Sequence, residues 1–140
     1  ASTLIGAYTL AGGPSYIGRL ITGLELPPIA IIALMMLVFL FLGAFMDWIG
    51  IALLCMPIFV PIIKQLGYDP IWFGILFCIN MQVSFLSPPF GPAAFYLKSV
   101  APPDITLVQI FRSFGPFVVM QVAVLVAVLL IPDLALWLVR

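Results

Sequence analysis

The sequence predicts an all-α integral membrane protein, on three observations. Hydrophobic residues fill 65% of the 140 positions and charged residues only 7%, against roughly 25% charged in an average soluble domain. Five basic and five acidic side chains leave no net charge. Those charges divide the chain into long uncharged stretches: Leu26 to Met46, Trp48 to Ile63, Pro70 to Leu97 and Ser113 to Pro132. A surface facing water cannot be built from so few charges, because apolar exposure on that scale aggregates. A soluble enzyme, a disordered region and a nucleic-acid-binding protein are excluded; the last needs a basic patch to meet phosphates.

Catalytic chemistry is also poorly supplied. There is no histidine, which removes the commonest metal ligand and general base. No HExxH, Ser/His pair or Walker loop can be written from these residues. Cys55 and Cys78 sit inside apolar runs and read as small buried hydrophobes. The sequence therefore predicts no enzyme.

Residues 1–25 read as a helix end and connector: a helix tail from Ser2 to Leu10, a Gly12-Gly13-Pro14 turn, and a short segment carrying Arg19. The chain opens without Met or a basic n-region, so it is not a signal peptide, and it is expected to be the middle of a longer protein.

Residues 26–63 read as a re-entrant hairpin. A single helix over these roughly 38 residues would be about 57 Å long, against a hydrocarbon core of about 30 Å. Two full spans would put their turn in water, yet the turn is Gly43-Ala44-Phe45-Met46-Asp47, and turns in water are polar. Two short arms that enter and leave by one side fit better, with the tip at membrane depth, buried in protein or lining a wet cavity. Asp47 is then an intramembrane carboxylate, a functional candidate by default, or a structural cap of the second arm. The two roles are compatible.

Residues 70–100 read as a broken helix. A helix running toward Leu86 cannot continue through Pro88-Pro89, because each proline lacks a donor and clashes with an earlier carbonyl. Helix resumes near Ala93. Freed carbonyls between Val83 and Ser87, with the hydroxyls of Ser84 and Ser87, make a hard-oxygen site suited to Na⁺. Such a break at mid-membrane is a recurrent binding device of secondary transporters; a simple kink satisfied by neighbouring helices is the alternative. Asn80 and Gln82 lie about one turn before the break, facing either the site or a neighbouring helix.

Residues 104–114 read as a short interfacial helix, and residues 115–140 as a C-terminal span. Lys64, Lys98 and Arg112 read as interfacial anchors, and Trp48, Trp72, Tyr68 and Trp137 as belt or core residues.

The order of these motifs is Gly43-x-x-x-Asp47, Pro57-Ile58-Phe59-Val60-Pro61, Leu66-Gly67-Tyr68-Asp69-Pro70-Ile71-Trp72-Phe73-Gly74, Ser87-Pro88-Pro89-Phe90-Gly91 and Phe114-Gly115-Pro116-Phe117. It resembles the C-terminal third of the large membrane subunit of tripartite ATP-independent periplasmic (TRAP) transporters, the DctM-like family. That family usually has Thr-Pro-Pro-Val-Gly at the break; Ser87 keeps the hydroxyl, and Phe90 adds bulk.

The resemblance implies one half of an elevator-type, inverted-repeat permease. It implies sodium-coupled uptake of organic anions, typically carboxylates, through the bacterial inner membrane. No cofactor is implied beyond Na⁺ as coupling ion. The implied partners are the remainder of the large permease subunit, a small membrane subunit, a periplasmic solute-binding protein, the organic anion and the lipid bilayer. On this mapping Gly43, Asp47, Ser84, Ser87, Pro88 and Gly91 belong to a sodium site, mainly through backbone carbonyls. Asn80, Pro89 and Phe90 lie near the substrate. One repeat cannot form a two-repeat site, so the chain alone is expected not to transport. The competing reading is a non-transport membrane scaffold subunit in which tip and break are structural only.

Overall fold

The computed structural model describes residues 3, 6, 7, 10–23, 25–88 and 91–137. Every regular element among them is a helix: α1 Gly13–Thr22, α2 Pro28–Gly43, α3 Trp48–Gln65, α4 Pro70–Leu86, α5 Pro92–Val100, α6 Leu107–Leu130 and α7 Asp133–Leu136. By length and composition α3 and α6 can cross a membrane; α2 and α4 are apolar but shorter.

Local chemistry sets the helix ends. Pro28 and Pro70 occupy first turns, where the missing N–H would have had no helical partner. Asp47 caps α3, its Oδ2 accepting from Ile49 N at 3.1 Å. Asp69 caps α4, its Oδ1 accepting from Ile71 N at 2.7 Å. Gly67, at φ 83°, ends α3 in the left-handed region, and Tyr68 N reaches back to Ile63 O at 3.1 Å, a Schellman closure. At the tip between α2 and α3, Phe45 N and Met46 N both donate to Leu42 O, at 2.9 and 2.8 Å.

The core is the stripe where the hairpin meets α4. Ile31, Ile32, Met35, Met36 and Phe39 of α2 are buried against Trp72, Phe73, Leu76 and Phe77 of α4. Phe39 is the hub: its ring centroid lies 5.2 Å from Phe59, 5.9 Å from Phe73 and 4.9 Å from Phe77. Aromatic pairs at these distances add about 0.5–1.5 kcal/mol each beyond area burial. Trp72 joins α4 to α6, its indole donating to Val128 O at 2.8 Å. The helical partner of that carbonyl would be residue 132, which is Pro132 and has no N–H. Trp72 thus fills a vacancy that proline creates.

Two expected boundaries differ. The interfacial helix of residues 104–114 and the span of residues 115–140 are not separate elements. One helix, α6, runs from Leu107 through Pro116 to Leu130. A capping box between Thr106 and Gln109 starts it. In apolar surroundings, one bond lost at Pro116 costs less than a fully opened turn. Ile131 and Pro132 then end it, and α7 follows. The segment carrying Arg19 is itself helical, as α1.

Most of α6 faces outward, with Phe117, Val119, Met120, Val124, Val126 and Leu130 exposed. An apolar face of this length is a surface for lipid or further apolar protein, not for water.

Candidate functional site

The break can be followed carbonyl by carbonyl. Ser87 is extended, at φ −87° and ψ 140°, as a residue preceding proline must be. Ser87 N donates to Ser84 O at 3.1 Å, and Ser87 Oγ to Val83 O at 2.7 Å. Gly91 N donates to Ser87 O at 2.9 Å, and α5 begins. Phe85 O finds no N–H at residues 88 and 89, its would-be helical donors, because both are prolines.

Glycine permits two close approaches. A Cβ on Gly91 would stand 2.9 Å from Ser87 O and 3.0 Å from the Phe111 ring. A Cβ on Gly43, at the end of α2, would stand 2.5 Å from Ser84 Cβ and overlap its Oγ. The hairpin tip therefore rests directly on the last turn of α4.

Where tip and break meet there is a cavity of about 480 Å³. It is bordered by Gly43, Asp47 and Trp48 of the tip, Cys78, Ser84 and Phe85 of α4, Pro92 of α5 and Gln121 of α6, among others. Among the described residues, Asp47 is the sole charged one on its border. The first residues of α3 and α5, Trp48 and Pro92, both border it, so two helix N-termini with their partial positive charge adjoin the space. Three buried side-chain oxygens or hydroxyls have no hydrogen-bond partner among the described residues: Asn80 Oδ1, Ser84 Oγ and Gln121 Oε1. Ser84 and Gln121 border the cavity. No cluster of His, Cys, Asp and Glu able to hold a metal occurs among the described residues. The available donors are neutral oxygens and one carboxylate.

The expected site residues divide into three groups. Gly43, Asp47 and Ser84 border the cavity. Ser87, Pro88 and Gly91 frame the break without bordering it: the Ser87 hydroxyl is engaged by Val83 O, Pro88 is exposed, and Gly91 is packed on Ser87 and Phe111. Asn80 is fully buried and also off the border, its Nδ2 donating to Met36 O at 2.6 Å. It joins α4 to the hairpin. Pro89 and Phe90 lie outside the described residues.

Cys78 departs from the sequence reading. It is exposed and borders the cavity, whereas Cys55 is buried. Gln121 was missed. Its signal was present, as the single amide in the apolar run from Phe114 to Pro132, and a polar residue inside a span is costly unless it has a task.

Residues 1–134 match the family model of the tripartite ATP-independent periplasmic transporter, DctM component. The chain belongs to this family. It is 30% identical over 136 residues to the 2,3-diketo-L-gulonate TRAP transporter large permease protein YiaN of Escherichia coli (strain K12), covering 96% of this chain and 32% of that protein. It is 33% identical over 123 residues to the C4-dicarboxylate TRAP transporter large permease protein DctM of Pseudomonas aeruginosa, covering 88% and 28%. It is 32% identical over 109 residues to the sialic acid TRAP transporter large permease protein SiaM of Vibrio cholerae, covering 78% and 25%. The chain thus spans at most 32% of the length of these relatives. A DctM-family chain is an all-α membrane protein, part of a transporter permease rather than an enzyme.

Proposed function

We propose that this DctM-family chain forms the coupling half of a sodium-driven, binding-protein-dependent permease that imports organic acids across the bacterial inner membrane. It works with the remainder of the large permease subunit, a small membrane subunit and a periplasmic solute-binding protein. The reading rests on the cavity between the hairpin tip and the helix break, with its unpartnered oxygens and, among the described residues, no basic side chain on its border.

An organic anion entering this cavity meets the Asp47 carboxylate and, among the described residues, no Lys or Arg. Helix N-termini at Trp48 and Pro92 offset part of that repulsion. A cation held by the oxygens of Asp47, Ser84 and Phe85 offsets the rest. Coupling is then linkage: whatever sodium adds to anion affinity, the anion adds to sodium affinity. Sodium also favours the closed packing of the tip on the break, because both contribute ligands.

The test is uptake into proteoliposomes by the full-length permease with its partner subunits and binding protein. Wild type is compared with Asp47→Ala and Ser84→Ala. A weakened sodium dependence in either variant, with the complex still assembled, is the expected result. Wild-type sodium dependence in both overturns the assignment.

A further inference from the structure

We propose that Gln121, at the middle of α6, is a direct cation ligand of this cavity, so that α6 and not only the tip and break reads the coupling ion. The proposal rests on the ion-coupling reading of the cavity and extends it to a helix to which neither motif belongs.

Four observations carry it. Gln121 borders the cavity. Its Oε1 is buried and has no partner among the described residues, although a buried acceptor left unpaired is costly. On the same border Ser84, only 2% exposed, has an equally unpartnered Oγ. Phe85, also on the border, has a carbonyl that its own helix cannot satisfy. Two unpartnered side-chain oxygens, and a third residue whose carbonyl finds no N–H at residues 88 and 89, thus border one space whose only formal charge among the described residues is negative.

That donor set is hard and neutral. Its oxygens fit Na⁺ better than a soft transition metal. An amide oxygen is also a dehydration partner of the right kind, a carbonyl dipole without full charge, so the ion can leave again. Every neighbour of Gln121 from Phe117 to Leu130 is apolar. Leucine would fill the position without leaving an orphaned oxygen, so packing alone does not account for glutamine.

The experiment uses the full-length permease with its partner subunits and binding protein, as wild type and as Gln121→Leu, Gln121→Asn and Gln121→Glu. Three quantities are read: the half-saturating sodium concentration for uptake, the ratio of lithium- to sodium-driven uptake, and the protection of Cys78 from a maleimide by sodium. Cys78 borders the same cavity and serves as its reporter.

In Gln121→Leu the half-saturating sodium concentration is expected to rise about tenfold, the scale of one lost contact to a charged group, and protection of Cys78 to weaken in parallel. In Gln121→Asn the shorter side chain shifts the lithium-to-sodium ratio, which a purely structural role would leave unchanged. In Gln121→Glu, added charge lowers the half-saturating concentration. If Gln121→Leu does not assemble, Gln121→Glu and Gln121→Asn decide. Wild-type sodium affinity and ion ratio in the assembled variants overturn the proposal while leaving the coupling site intact. A wild-type permease without sodium dependence overturns both.

Discussion

Gly43 at the end of α2 and Ser84 in the last turn of α4 are packed so closely that a Cβ on the glycine would stand 2.5 Å from that of the serine. This contact fixes where the hairpin tip meets the break. Gly43→Ala is expected to destabilise the assembled permease by about 1–3 kcal/mol, the usual cost of overpacking, and to lower uptake. Adding Ser84→Gly should recover part of the loss. A double-mutant cycle on melting temperature checks this; strictly additive effects would mean the contact is not the cause.

Asp47 combines a cap and a charge, and the two can be separated. Asparagine caps a helix about as well as aspartate, whereas alanine costs about 1 kcal/mol. Asp47→Asn should therefore keep the thermal stability that Asp47→Ala loses. Both variants should need more sodium for half-maximal uptake. Normal sodium affinity in Asp47→Asn would assign the residue to capping alone.

Trp72 supplies the donor that Pro132 withholds from Val128 O. Trp72→Phe keeps an aromatic ring but removes the indole N–H with some buried volume, leaving a buried carbonyl unpaired at about 1–3 kcal/mol. The expected readout is a lower melting temperature with unchanged sodium and substrate affinities. An unchanged melting temperature would show that water or lipid headgroups already reach that carbonyl.

Asn80 is tied to Met36 O and does not border the cavity. Asn80→Leu should leave the KM for substrate within about twofold of wild type, since similar volume is kept and volume-conserving core swaps are the best tolerated. Asn80→Asp should be far worse, because a buried carboxylate without a partner typically costs about 3–5 kcal/mol. A selective rise in KM for Asn80→Leu would return this residue to the substrate side.

Much of this architecture was legible because proline acts through covalent facts. The pair Pro88-Pro89 ends α4 whatever surrounds it, and Asp47 announces a helix start from its own side chain. Pro116 was harder to read: in an apolar environment a helix tolerates one missing bond, so the expected boundary near residue 115 is absent. The cavity-facing positions of Cys78 and Gln121 were illegible for another reason, although Gln121 stands out as the single amide of its apolar run. A helix that is apolar all round gives no periodic sign of which face borders a cavity, and the neighbour that decides it comes from far along the chain.

The bond between Trp72 and Val128 spans a sequence separation of 56 residues, and this has a consequence for biosynthesis. The hairpin and the broken helix leave the ribosome well before the acceptor of that bond exists. Val128 and Leu136 also belong to the buried cluster, so the earlier helices lack the Trp72 acceptor and part of their apolar cover until α6 and α7 are made. Packing of α2 to α4 is therefore completed only when α6 is made, and a ribosome stalled before α6 would leave these helices unlatched.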